Sequence, residues 1–453
     1  MDLPNILLVV VDCGRADRFS CYGYSRPTTP NVDAIAAEGV RFDAAYSESS
    51  WTVPTVFTLM TGLSPREHRA EVHRSLPPGI PTLAEALKRS GYETLCASAN
   101  HYLGPETGLE RGFDWFFAAP HPRLRLLLES LPKRLGWADK GGEACTAAYL
   151  SRVRQATAPW FAVVWYFDVH WPYIAKGPFA RRFCDRPVPL GIGFMLRNVY
   201  EYGACASEEQ RAVVNSMYDG CIAYDDMLIG RLRDGLQRMG LWDEAVVIVT
   251  ADHGEMLGEG RLMGHGPAMG LHQPLLQVPL LVRAPRALLE PGVSAAPVQL
   301  ADITRTIASL AGATDALAPT AALEADVFAA ARGHGRPRTI SERFELDSVS
   351  AERIRRRHPH FDLAPYLCDM TAVVDDNWKL VHWASGRHDL YDLAADPHEQ
   401  RNLADEEPAR AAALAQVVYD WAREASPHPA VASLLTDPAS VVKRRLQDLG
   451  YFG

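Results

Sequence analysis

Five short apolar runs, each closed by turn residues, stand out along the first two thirds of the chain: Asn5–Val11, Thr94–Ala97, Trp160–Phe167, Ala245–Thr250 and Val278–Val282. Their length and lack of a helical period predict buried strands. Between them the pattern turns helical, in Asn31–Glu38, Thr82–Ser90, Ser207–Met239 and Ala301–Leu310. Strands alternating with helices predict an α/β fold, a mostly parallel central sheet sandwiched by helices on right-handed crossovers. In such sheets ligands bind beyond the carboxyl ends of the strands. Three predicted strands lead into chemically capable residues: Asp12, Asp168, and the pair Asp252 and His253.

From about residue 313 the pattern changes. An Ala- and Arg-rich stretch (TDALAPTAALEADVFAAARGHGRPR) reads as a surface excursion or linker. Strand candidates follow at Tyr366–Val374 and Trp378–Trp383, then a turn at Ala384–Gly386 and LYDL at 390–393. The expected division is a catalytic domain over 1–312, a linker with a small C-terminal antiparallel sheet subdomain over 313–405, and a helical tail over 406–453. No internal repeat is visible.

Composition narrows the function classes. Apolar residues make up 47% and charged residues 22% of the 453, ordinary values for a globular protein. A net charge of −9 disfavours nucleic acid as a partner, since that surface would have to be basic. It leaves room for a small anionic substrate, because a bound metal can dominate the local field. The N-terminal MDLPNILLVVVD lacks a basic leader and its apolar run is too short for a signal peptide or membrane anchor, so a cytoplasmic location is expected. The eight cysteines are dispersed without metal-ligand spacing, which predicts reduced thiols.

Two constellations can carry chemistry. In VVIVTADHGE, Asp252 and His253 end a strand and Gly254 relieves crowding in the turn; with Asp12 they offer hard oxygens and one imidazole, a set suited to a divalent ion. Taken alone, these residues serve equally as helix caps. In SSWTVPTVFTLMTGL, Pro54 reads as an early helix residue, placing Thr52 just before a helix N-terminus, where free N–H groups and the dipole favour a tetrahedral anion. Close to a divalent ion a Thr hydroxyl there loses its proton more readily and can attack phosphorus or sulfur; a plain Thr cap is the simpler alternative.

Longer blocks then become specific. NILLVVVDCGRADRFSCYGYSRPTTPNVDAIAAEGVRF, SSWTVPTVFTLMTGLSPREH, PTLAEALKRSGYETLCASANHYLG, RGFDWF, YFDVHWPY, YDGCIAYDDMLIGRL, VTADHGEMLGEGRLMGHG and LLQVPLLVRAP follow one another as in sulfatases, and HDLYDLAADPHEQRNLA with the closing RRLQDLGYFG resembles that family's ending. The chain thus resembles the sulfatase-like branch of the alkaline phosphatase superfamily over nearly its whole length. The resemblance implies metal ligation by Asp12, Asp252 and His253, with Thr52 as a nucleophile that also binds the metal. It implies that His170 and His265 contact the transferred group or protonate the leaving group. Asn100 is expected to hold a non-bridging oxygen. Arg15 is expected either to neutralise substrate charge or to form a structural ion pair, and Trp171 and Tyr173 to contact substrate.

Departures from the family pattern select the chemistry. Sulfatases resemble Cys/Ser-x-Pro-Ser-Arg, whose first residue becomes formylglycine; here the stretch is Thr52-Val53-Pro54-Thr55-Val56. Threonine cannot form that aldehyde. Cys13 stands where sulfatases usually carry a second Asp, and His253 where they often carry Asn. The set resembles Thr-nucleophile phosphodiesterases and phospho-group transferases, which implies one divalent metal, Mn²⁺ or Zn²⁺ favoured over Ca²⁺ or Mg²⁺. A second metal fits poorly, because Asp168 and His170 are separated by one residue rather than three. The expectation is a hydrolase of phosphate or phosphonate esters. The alternatives are a sulfatase without formylglycine, a phospho-group transferase (disfavoured by the lack of membrane helices) and a non-catalytic binding protein. The basic, apolar Arg123–Trp137 stretch reads as a packed amphipathic helix, and Arg353–Arg357 beside His358 and His360 as solvated surface. Loops over 100–150, 173–206 and 335–365 should set specificity, but they name no substrate, and oligomeric state is not legible.

Overall fold

A computed structural model describes residues 3–73, 75–120, 139–156, 159–185, 207–320, 325–346, 348–359 and 361–436. The Arg123–Trp137 stretch, His360 and the closing RRLQDLGYFG lie outside the described residues.

Strands in chain order are β1 (Asn5–Val11), β2 (Val40–Phe42), β3 (Ala45–Tyr46), β4 (Glu93–Ser98), β5 (Trp115–Ala118), β6 (Trp160–Tyr166), β7 (Ala245–Thr250), β8 (Met256–Leu257), β9 (Met263–Gly264), β10 (Leu280–Arg283), β11 (Gly292–Ser294) and β12 (Val298–Gln299). Eight of them form one sheet in the order β11-β2-β10-β7-β1-β6-β4-β5. Only β10 runs antiparallel, against β7 and β2. The mostly parallel sheet with helices on both faces is as expected.

β1 shows why its sequence is continuously apolar. Ile6, Leu8 and Val10 join the core on one face, with the Thr52–Thr61 helix, while Leu7, Val9 and Val11 join the core on the other, with the Glu208–Arg238 helix. A strand covered on both faces needs no polar alternation. It pairs with β6 (Val11 opposite Tyr166) and with β7 (Val10 opposite Thr250), so the three strands that lead into acidic or imidazole residues are neighbours.

The C-terminal part forms a four-stranded antiparallel sheet of β13 (Thr339–Arg343), β14 (Met370–Asp375), β15 (Trp378–Trp383) and β16 (His388–Asp392), covered by the Pro408–Glu424 helix. Two expectations need correcting here. β14 begins at Met370 because Ala364–Tyr366 is a helical turn, and β13 lies in a stretch that showed no strand pattern. The supposed surface excursion is partly core: Val327, Phe328 and Ala330 are buried against the main hydrophobic cluster. Arg353–Arg357 belongs to the Ser348–Arg357 helix, which buries Ser350, Ala351 and Ile354 and exposes Arg353, Arg355 and Arg356.

Candidate active site

The carboxyl ends of β1, β6 and β7 converge with the start of the Thr52–Thr61 helix. Asp12 and Asp252 are fully buried, and with His253 they present one donor atom each within 4.8 Å of one another. The turn after β7 is tight enough to require glycine, since a Cβ on Gly254 would lie 2.0 Å from the Pro274 carbonyl oxygen. His253 Nδ1 lies 2.7 Å from the Gly254 carbonyl oxygen, so it carries the proton and leaves Nε2 as acceptor. That Nε2 stands 3.1 Å from Thr52 Oγ1. Thr52 is the first residue of its helix, with Trp51 at the cap, one position further in than expected.

The surrounding residues hold the carboxylates. Asp12 Oδ2 accepts from Asn100 Nδ2 at 2.5 Å and from Trp165 Nε1 at 3.0 Å, and Oδ1 accepts from the Cys13 thiol at 3.1 Å. Asp252 Oδ1 accepts from the Cys13 and His253 backbone N–H groups. Its other oxygen, Oδ2, has no full hydrogen bond; it faces His253 Nε2 at 3.4 Å and the Thr52 hydroxyl. His170 donates from Nδ1 to the Trp171 carbonyl, and its ring meets that of His265 edge-on at 4.9 Å. His265 Nδ1 lies 2.9 Å from Glu255 Oε1.

One open choice is decided and three expectations change. Arg15 is 2% exposed and committed to Asp17, Glu259 and the Glu255 carbonyl, the arrangement of the structural ion pair. Tyr173 is 1% exposed, packed edge-on to Tyr218 and bonded to Glu255, which removes it from any substrate surface. Asn100 grips Asp12 rather than facing the site as a free donor. The cysteine pattern also misled: Cys13, fully buried, falls within the cluster of potential ligands. Trp171 stays half-buried beside His170. Asp168 accepts from the Lys140 and Gly142 N–H groups and stands apart from the ligand groups. Glu255, Trp165 and Lys140 escaped the sequence reading because nothing in their local patterns distinguishes them from core residues.

Burial dominates the electrostatics. It pushes Asp12 and Asp252 each up to about 7, with mutual repulsion adding to the rise at Asp12. It pushes Glu255 up to about 8. It holds His170 and His265 well below the usual imidazole range, and the neighbouring imidazoles, His265 beside His170 and His253 beside His265, push in the same direction. Two carboxylates this deep, one with an oxygen facing an imidazole acceptor and a hydroxyl, form a site short of positive charge. A divalent cation supplies that charge, and the donor set fits one.

Residues 4–313 match the sulfatase family, and the chain belongs to it. It is 26% identical over 444 residues to an uncharacterized sulfatase of Escherichia coli (strain K12), covering 90% of this chain and 84% of that one. It is 25% identical to the choline-sulfatase of Rhizobium meliloti (strain 1021), over 89% of this chain and 82% of that one. Among solved structures, the phosphonate monoester hydrolase of Agrobacterium radiobacter superposes with a TM-score of 0.75 at 24% identity, over 92% and 95% of the two chains. The protein is therefore a hydrolase acting on sulfuric or phosphoric esters, and membership in the family implies a divalent metal.

Proposed function

We propose that the protein hydrolyses phosphate or phosphonate esters through Thr52, with a divalent ion, Mn²⁺ or Zn²⁺, held by Asp12, Asp252, His253 and the Thr52 oxygen. The observation that carries this reading is a threonine hydroxyl 3.1 Å from His253 Nε2 at the start of a helix, where the family's sulfatases carry the formylglycine precursor. A divalent ion held there would neutralise the two carboxylates, polarise the ester and ease loss of the Thr52 proton.

Thr52 Oγ then bonds to phosphorus as the ester oxygen departs in line, giving a phospho-threonine. Water next bonds to phosphorus, and the Thr52 oxygen leaves and regains its proton. His170 Nε2 and the His265 ring stand beside the ligand group. Both are neutral in the absence of an anion, and a bound substrate anion raises their proton affinity. Either ring can then give a proton to the leaving oxygen and take one from the attacking water. The half-buried Trp171 offers an apolar wall for the alcohol side of the ester.

The phosphonate monoester hydrolase fold supports a phosphorus ester, whereas the curated relatives keep the sulfate ester as the second reading. One panel separates the two. Metal-reconstituted protein is assayed on aryl phosphodiester, phosphonate monoester, phosphomonoester and sulfate ester, with Thr52→Ala alongside. Metal-dependent cleavage of a phosphorus ester, reduced by about 10³ or more in Thr52→Ala, supports the proposal. Cleavage of sulfate esters alone, or full activity in Thr52→Ala, overturns it.

A further inference from the structure

We propose that Cys13 is a thiolate ligand of this metal centre and makes it selective for thiophilic ions such as Zn²⁺ or Co²⁺ over Mg²⁺ and Ca²⁺. The inference rests on the metal site described above and puts a soft sulfur donor where sulfatases usually carry an aspartate.

Cys13 immediately follows Asp12 at the carboxyl end of β1. Its thiol lies 3.1 Å from Asp12 Oδ1 and 3.6 Å from His265 Nδ1. Its sulfur falls within 4.8 Å of donor atoms in two sets, His253 with His265 and Asp12 with His170. The side chain is fully buried, and its φ of 61° is the left-handed region that a Cβ-bearing residue adopts at a cost. Tertiary contacts pin that conformation: the backbone N–H donates to Asp252 Oδ1 and the carbonyl accepts from the Tyr218 hydroxyl at 2.6 Å. The same contacts aim the sulfur at the ligand cluster. A second observation points to a cation beside these donors: Asp252 Oδ2, fully buried and facing His253 Nε2 and the Thr52 hydroxyl, lacks a full hydrogen bond, and Asp252 forms its own donor set with Asp12 and His253, residues that also stand in the sulfur's two sets.

Donor chemistry sets the selectivity. Carboxylates, carbonyls and water suit Mg²⁺, Ca²⁺ and Mn²⁺, whereas thiolate with imidazole favours Zn²⁺ and its neighbours. On binding, the thiol gives its proton to solvent and a sulfur–metal bond forms, with no change of oxidation state. The aspartate usual at this position in sulfatases would supply the same charge through a hard oxygen, so the exchange alters preference while keeping the charge count.

The test is spectroscopic. Apo protein is titrated with Co²⁺, and uptake of Zn²⁺, Mn²⁺ and Ca²⁺ from an equimolar mixture is measured by mass spectrometry of the metals, for the wild type, Cys13→Ser and Cys13→Asp. The expected result is a near-ultraviolet thiolate-to-cobalt charge-transfer band in the wild type that is lost in both variants. Cys13→Asp should also shift uptake from Zn²⁺ toward Mn²⁺ or Ca²⁺ by about tenfold or more. Cobalt bound without that band, or with a band that persists in Cys13→Ser, overturns the proposal while leaving the metal site intact. No cobalt binding in the wild type, or binding unaffected by Asp252→Asn, overturns the metal site itself. Because the wild-type spectrum is informative alone, a variant that fails to fold does not rescue the idea.

Discussion

Asp12 illustrates what a single residue contributes and what it borrows. Its carboxylate lies in a fully buried position, yet Asn100 Nδ2 and Trp165 Nε1 both donate to Oδ2 and set its orientation. Such outer contacts usually tune a ligand by one to two orders of magnitude. Asn100→Ala is therefore expected to weaken metal affinity by about 10- to 100-fold while leaving the fold intact, as read by calorimetric metal titration and far-ultraviolet dichroism. Unchanged affinity would mean that Asn100 serves another role, such as the substrate contact first expected of it. At this scale the candidate ligands were legible: Asp12, Asp252 and His253 each stand just past a strand end. Tyr173 was misread, and Arg15 was left open between two roles, for a physical reason. A side chain's sequence position does not reveal whether its charge or hydroxyl is already spent; here Tyr173 is bound to Glu255, and Arg15 to nearby Asp17 and to distant Glu259.

At the scale of elements, the Thr52–Thr61 helix is held at its N-terminus by contacts outside itself. Trp51 caps the helix, and its indole Nε1 donates at 2.9 Å to Glu71 Oε1; Glu71 Oε2 accepts from the Phe344 N–H, also at 2.9 Å. Burial pushes the Glu71 carboxyl up to about 7, and these donors oppose that rise. Replacing Glu71 by Ala strands two donors, which should cost about 1–3 kcal/mol. The same change frees the Thr52 end of the helix, so kcat should fall more than KM rises, measurable by steady-state kinetics beside urea unfolding. Equal losses in an unrelated core variant would reduce this to general destabilisation. The loop after β6 is tied in a comparable way: Lys140 Nζ donates to the Asp168 carbonyl at 2.8 Å and to that of His170. Lys140→Met is expected to lower activity through a displaced His170 ring, with Lys140→Arg restoring part of it.

The whole molecule links the C-terminal sheet to the candidate site. Glu342 on β13 receives the Arg66 side chain, its N–H donates to the Glu48 carbonyl, and its carbonyl accepts from Ser49 Oγ, so this edge strand is stitched to the segment leading into Thr52. Lys379 on β15 pairs at 2.5 Å with Glu399, which also accepts from the Gln273 N–H. A chain cut after residue 313, which would still contain the matched sulfatase segment, is accordingly expected to lose activity and form insoluble protein on expression. An active, soluble fragment would refute that dependence. The Lys379 ammonium holds the buried Glu399 carboxyl down at about 2 against a usual 4.5, although burial alone would raise it. A depressed carboxyl stabilises the fold above its unfolded value and loses that contribution as pH falls from about 4.5 toward 2, here about 3 kcal/mol. Urea unfolding across that range should show a steeper loss in the wild type than in Glu399→Gln; parallel slopes would contradict the assignment. Among the described residues no helix is long and apolar enough to cross a membrane.

What the sequence determined by itself follows from local physics. A strand buried on both faces must be apolar throughout, as β1, β6 and β7 are, and polar residues at its end must either cap, bind or catalyse, which singled out Asp12, Asp252 and His253. Tertiary structure alone decided which polar groups remain free to act. It spent Arg15, Tyr173 and Asn100 on internal partners, turned Cys13 into the ligand cluster, and brought β13 against the approach to Thr52. Those outcomes depend mostly on contacts between segments far apart in the chain, where the free energy of a hydrogen bond or a buried charge is set by who the neighbour is and not by the pattern of the chain.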